Sequence, residues 1–298
     1  MKLITLILVL ILSLNFIWAQ APLKSKIIAK GATLTQVEAA YEFTEGPAVD
    51  SEGKVFFTDQ PNNRILKWTE GKGVSTFMEN AGRANGLYFD HQGRLLACAD
   101  EKNQLWRIHP DKKVDILLQD FEGKKFNGPN DLWVDPKGGI YFTDPFYKRS
   151  YWDHDEKEIE SENVYYLAPG AKIPVIVADD LVKPNGIIGT KNGKTLYVAD
   201  IGDKKTYCYQ ISPSARLQNK TLLTNLGSDG MTLDHKGNIY LTGQGVTVFN
   251  KKGHQIEHID VPERWTANVV FGGKDQKTLF ITAMGSVYTL DMKVHGIR

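Results

Sequence analysis

The chain has 298 residues, 42% of them hydrophobic and 24% charged, and its formal net charge is +1. That balance is globular, supplies apolar material for a large core, and creates no net field that would draw nucleic acid or an acidic membrane. Two cysteines, Cys98 and Cys208, rule out a disulfide-dense scaffold; both sit in alternating apolar runs and read as small core residues.

The N-terminus carries Lys2 and then an apolar run over residues 3–18, broken only by Thr5, Ser13 and Asn15. Ala19, with Ile17 two positions before it, suits cleavage between Ala19 and Gln20. Residues 1–19 are predicted to be a signal peptide and residues 20–298 a single domain, secreted or periplasmic, with no stable membrane insertion after cleavage. The alternative is an uncleaved anchor, for which the run is marginal against the about 20 apolar residues of a membrane helix.

From residue 45 onward one plan recurs six times: a polar residue, a short apolar strand, a turn, a second apolar strand, then often Asp. The segments are EGPAVDSEGKVFFTD from Glu45, NGLYFDHQGRLLACAD from Asn85, NDLWVDPKGGIYFTD from Asn130, NGIIGTKNGKTLYVAD from Asn185, DGMTLDHKGNIYLTG from Asp229 and NVVFGGKDQKTLFITA from Asn268. Subtracting residue numbers spaces the leading residues by 40, 45, 55, 44 and 39. That is the period of a four-stranded propeller blade, about 40–50 residues. Four of the turns run Asp-x-x-Gly, glycine accepting positive φ without steric cost. Third strands follow, such as residues 64–68 and 104–108, and no helical pattern is sustained. The predicted fold is all-β, a six-bladed β-propeller. The sixth repeat ends after three strands, and residues 31–40 have no blade of their own. They are predicted to be the outer strand of the last blade, closing the ring and removing its exposed edges.

First strands line the channel of a propeller, so their leading residues form a ring around one axis. Here that ring is Glu45, Asn85, Asn130, Asn185, Asp229 and Asn268, all carboxylates or carboxamides. Such oxygens suit a hard divalent cation, with Glu45 and Asp229 supplying its countercharge. The absence of His argues against a conventional zinc site. The competing reading is that the ring only hydrogen-bonds channel backbone and water.

The segments Thr44-Glu45-Gly46-Pro47, Gly128-Pro129-Asn130-Asp131, Lys183-Pro184-Asn185-Gly186 and Ser228-Asp229-Gly230-Met231 resemble the signature of the SMP-30/gluconolactonase/luciferin-regenerating enzyme family, along nearly the whole chain after the leader. The resemblance implies a lactonase holding one divalent metal ion through Glu45, Asn185 and Asp229, with Asn130 a fourth ligand or a substrate contact. The resemblance does not choose the ion; the oxygen donors put Ca²⁺ first, with Mg²⁺, Mn²⁺ or Zn²⁺ as alternatives. Asp229 would also be the general base opening a sugar lactone, and Asp131 is the runner-up, although strand alternation would turn Asp131 from the axis.

The interval from Asn130 to Asn185 is about ten residues longer than its neighbours, and the extra residues, 145–162, overhang the face carrying the ring. With its aromatic and cationic side chains, this insertion suits a sugar. Tyr147 and Arg149 join Asn85, Asn130 and Asp131 as candidate substrate contacts. Asp59, Asp100, Asp144 and Asp200, which end second strands, are expected to fix the following turns. No serine-nucleophile elbow or phosphate-binding loop is present. Two rivals stay open: a metal-dependent propeller hydrolase of another ester or a phosphotriester, and a non-catalytic ligand-binding propeller. Neither the particular lactone nor the oligomeric state is legible.

Overall fold

The structure, a computed structural model, describes residues 25–297; the leader predicted over residues 1–19 lies outside them. Among these described residues twenty-four strands form six antiparallel sheets of four, which is the six-bladed propeller. Residues 25–43 contribute one strand, β1 (Thr35–Glu38). Blade 1 holds β2 (Thr44–Val49), β3 (Val55–Asp59), β4 (Arg64–Thr69) and β5 (Gly73–Glu79). Blade 2 holds β6 (Ala84–Phe89), β7 (Leu95–Ala99), β8 (Gln104–Ile108) and β9 (Val114–Leu118), with a 3-10 turn, η1 (Asp100–Lys102), after β7. Blade 3 holds β10 (Leu132–Val134), β11 (Ile140–Asp144), β12 (Glu162–Leu167) and β13 (Val175–Leu181). Blade 4 holds β14 (Pro184–Gly189), β15 (Thr195–Asp200), β16 (Lys205–Ile211) and β17 (Leu217–Thr224). Blade 5 holds β18 (Met231–Leu233), β19 (Ile239–Gly243), β20 (Gly245–Phe249) and β21 (Gln255–Ile259). Blade 6 holds β22 (Asn268–Gly272), β23 (Thr278–Ala283) and β24 (Ser286–Asp291).

The expected closure is present. β1 pairs antiparallel with β24, Thr35 opposite Thr289 and Gln36 opposite Tyr288, so the chain start completes the sixth blade. In blades 1, 2, 3 and 5 the inner hairpin is set by its Asp. Asp135 Oδ1 accepts from Lys137 N at 2.7 Å and Gly139 N at 2.9 Å, while Gly138 takes φ +87°, a value L side chains rarely adopt. Asp50, Asp90 and Asp234 repeat the bond pattern.

The apolar core lies between blades rather than on the axis. One cluster runs from Trp133, Tyr141 and Val164 through Ile187, Leu196 and Val198 to Met231, Leu233 and Ile239. Cys98 is fully buried as expected, whereas Cys208 is only half-buried; both thiols are free. Near the axis, threonines tie one blade to the next. Thr58 Oγ1 donates to Asn85 O at 3.2 Å, Thr143 Oγ1 to Asn185 O at 2.8 Å, and Thr242 Oγ1 to Ala267 O at 2.8 Å. Each of these bonds fixes the backbone at or beside a ring residue.

The aspartates ending second strands do more than expected. The carboxylates of Asp59, Asp144 and Asp200 chiefly hold the segment leading into the first strand of the same blade, and among the described residues that of Asp100 does not. Asp59 accepts from Glu42 N and Phe43 N, Asp144 from Asn127 N and Gly128 N, and Asp200 from Val182 N and Lys183 N. The following turn is a second task, through Asn62 for Asp59 and Asp203 N for Asp200. Those lead-in segments deliver the ring residues to the axis.

Candidate functional site

Every ring residue stands at or just before the start of a first strand. Glu45, Asn85, Asn130, Asn185 and Asn268 are buried, and Asp229 is half-buried. Carboxyl and carboxamide groups taken from water need partners, and four of the six find them in one another. Asn185 Nδ2 donates to Asp229 Oδ1 at 2.8 Å, and Asn268 Nδ2 to Glu45 Oε2 at 3.4 Å. Gly46 N also donates to Glu45 Oε2, at 2.8 Å. The Asn85 and Asn130 side chains make none of these bonds; the two blades meet there through backbone, Gly86 N to Asn130 O at 2.7 Å.

Glycine follows the ring residue in blades 1, 2, 4 and 5 because blades come too close for a side chain. A Cβ on Gly46, which has φ +43°, would stand 2.0 Å from Asn85 O. Blade 3 has Asp131 instead. Strand alternation was expected to turn it from the axis, but Asn130 and Asp131 precede β10, so alternation does not govern them. Asp131 is buried, its Oδ1 accepts from its own Leu132 N at 2.9 Å, and the Asp229 charge acts on it.

Three carboxyls therefore share this mouth of the channel. Burial, then the charges of Asp229 and Asp131, push Glu45 well above the usual carboxylate range. Burial pushes Asp131 to about 7 despite its bond from Leu132 N. Burial likewise raises Asp229 to about 6, restrained by hydrogen bonds from Trp265 and Asn185 and by the Arg149 cation. Mutually repelling buried carboxyls are the setting that a divalent cation relieves. No three His, Cys, Asp or Glu side chains gather at metal-holding distances among the described residues. The donor set that fits a hard cation mixes types: carboxylate oxygens of Glu45 and Asp229, and the carboxamide oxygen of Asn185, whose nitrogen is already committed.

Two candidates from the insertion reach this group. The Tyr147 hydroxyl accepts from Asn185 Nδ2 at 3.0 Å. Arg149 lies with its Cζ 5.5 Å from the Tyr147 ring centroid, and burial, which disfavours its cation, is outweighed by Asp100 and neighbouring groups including Glu45. Sequence reading missed Trp265, whose Nε1 donates to Asp229 Oδ2 at 2.6 Å, so both oxygens of Asp229 are oriented. It also missed Lys183, whose Nζ sits 4.6 Å from the Tyr147 ring centroid. Both stand in lead-in segments, a few residues before Asn268 and Asn185, and that placement was the available signal.

A large cavity, about 950 Å³, opens at the opposite mouth, among the inner hairpin turns and apolar residues such as Pro47, Trp133, Ile188 and Phe271. It holds none of the ring carboxyls. The three carboxyls stand at the other, polar mouth.

Comparison with known proteins agrees in sequence and in shape. The family model described as SMP-30/Gluconolactonase/LRE-like region matches residues 43–285. A gluconolactonase of Zymomonas mobilis is 27% identical, the match covering 93% of this chain and 86% of that one. The diisopropyl-fluorophosphatase of Loligo vulgaris is 26% identical over 83% of this chain and 88% of its own. The solved structure of a gluconolactonase from Xanthomonas campestris superposes with a TM-score of 0.83 at 28% identity, covering 89% of this chain and 91% of that one.

Proposed function

The chain belongs to the SMP-30/gluconolactonase/LRE-like family, and from that membership we propose that it hydrolyses a sugar lactone, an aldonolactone, to the aldonic acid with the help of a divalent cation. The observation that carries this reading is Asp229, half-buried, with Asn185 on one oxygen and Trp265 on the other, beside buried Glu45. Glu45, Asn185 and Asp229 would hold the cation, Ca²⁺ first with Mg²⁺, Mn²⁺ or Zn²⁺ as alternatives, and Asn130 would be a fourth donor or a substrate contact. When bound, the cation supplies Lewis-acid polarisation of the lactone carbonyl.

The side chains supply the rest. Asp229 accepts a proton from a water whose oxygen forms the new bond to the carbonyl carbon. The ring C–O bond then breaks, and its oxygen takes that proton and leaves as a hydroxyl, so lactone plus water gives the hydroxy acid. Tyr147 and Arg149 line the approach, where hydroxyl-bearing substrates find hydrogen-bonding partners. Asp131, buried beside Asn130, ranks second as base because the family resemblance gives that role to Asp229. We also read residues 1–19 as an export leader, which places the reaction outside the cytoplasm.

The test is acid release from a panel of aldonolactones, with an aryl ester and a phosphotriester in parallel and each candidate ion supplied. An aldonolactone should give the highest kcat/KM. Asp229→Ala and Glu45→Ala should each lose about 10²-fold or more in turnover with an unchanged far-ultraviolet spectrum. A phosphotriester preferred over every lactone overturns the substrate reading, and an active Asp229→Ala enzyme removes the assigned base.

A further inference from the structure

Blade 2 departs from the pattern of its neighbours. Asp100 ends the second-strand segment where Asp59, Asp144 and Asp200 hold their own lead-in backbone, but its carboxylate takes no backbone N–H among the described residues. It is only 3% exposed. Its partners are Gln60 Nε2 at 3.2 Å, Arg149 Nε at 3.0 Å and the Tyr151 hydroxyl. The Asp100 main-chain carbonyl accepts from Trp152 Nε1 at 2.7 Å. Arg149, Tyr151 and Trp152 all belong to the insertion of blade 3, so one residue of blade 2 ties down three side chains of a loop rooted elsewhere. Arg83 reinforces the tie by lying over the Tyr151 ring, Cζ to centroid 4.5 Å.

What this clamp fixes matters for the site. A guanidinium offers a rigid fork of five N–H donors, and the ion pair with Asp100 commits only the Nε side. Arg149 reaches the polar ring through Tyr147, its Cζ 5.5 Å from the Tyr147 ring centroid, and its charge also bears on Asp229. Its neighbour Tyr147 is hydrogen-bonded to Asn185. Sugar lactones carry several hydroxyls, whereas plain lactones offer only the ester group. A site furnished with buried hydrogen-bonding groups discriminates strongly against an analogue that leaves them unpaired.

We propose that Asp100 is a positioning residue that locks the insertion so that Arg149 faces the polar ring, and that Arg149 so held selects hydroxylated lactones over plain ones. The selectivity rests on the lactonase reading above; the clamp itself does not. Removing an interaction common to ground and transition state raises KM and spares kcat. Asp100→Asn should therefore raise KM for gluconolactone about tenfold, with kcat within about threefold and kcat/KM for δ-valerolactone unchanged. Tyr151→Phe, which deletes only one hydroxyl, should move KM in the same direction by a smaller factor. Since Asp100 acts through Arg149, Asp100→Asn combined with Arg149→Ala should be no worse than Arg149→Ala alone. Hydrogen exchange read by mass spectrometry should quicken over residues 145–152 in Asp100→Asn and stay unchanged elsewhere.

A fall in kcat shared by both lactones, or full additivity of the two substitutions, overturns the selective role. If the wild-type protein opens no lactone, the lactonase reading fails, and the exchange measurement alone judges the clamp. Unaltered exchange over residues 145–152 overturns it.

Discussion

Asp229 is oriented from both sides, and its partners differ in kind. Asn185 belongs to the ring, while Trp265 reaches it from outside at 2.6 Å. A hydrogen bond to a charged group contributes about 1.5–3 kcal/mol, so Trp265→Phe should lower kcat by about tenfold or more and lower thermal stability as well. Steady-state kinetics beside a melting curve checks this. Asp144 allows a pH test away from the ring. Burial raises it to about 7, although Asn127 and Gly128 donate to it. A carboxyl raised on folding contributes stability that is full below its unfolded value near 4 and is lost as pH climbs through about 7. Between those limits the unfolding free energy from urea titrations should fall more steeply with pH in the wild type than in Asp144→Asn, by at most about 1.4 kcal/mol per pH unit. The ring residues were legible because repetition marks them. Trp265 was not, since it occurs once, in a lead-in segment whose course depends on how two blades meet.

A blade's first strand must approach its neighbour closely enough to share backbone hydrogen bonds, and that sets which residues may follow the ring. A Cβ on Gly230 would fall 1.9 Å from Asn268 Cγ. Gly230→Ala should therefore destabilise the protein by about 1–3 kcal/mol and push Asn268 off Glu45. A lower urea midpoint together with reduced turnover is the expected result, and an unchanged enzyme would mean the blades can separate at no cost. At this scale the turns were readable, because Asp and Gly act locally within four residues. The aspartates ending second strands were read only in part. Their shared position was evident, but the main partners of Asp59, Asp144 and Asp200 lie 16 to 18 positions earlier, as in Asp59 with Phe43 and Asp200 with Val182. For Asp131 alternation was no guide, because it governs residues within a strand and this strand begins one residue later.

Around the whole ring, closure by β1 against β24 holds six sheets in register, and that register brings residues as distant in sequence as Glu45 and Asn268 within hydrogen-bonding reach. Period and a missing strand were enough to foresee this architecture. The covering of the polar mouth was not foreseeable in detail, since Asp100 and Arg149 come from different blades and pair only after both fold. In the proposed function this mouth opens lactones with one divalent cation gripped between Glu45, Asn185 and Asp229. That reading is tested most directly by stripping the protein with a chelator and titrating Ca²⁺ back while following acid release from gluconolactone. Turnover should vanish on stripping and return in proportion to bound ion, saturating at one ion per chain. Undiminished turnover in stripped protein that elemental analysis finds free of metal would contradict the account.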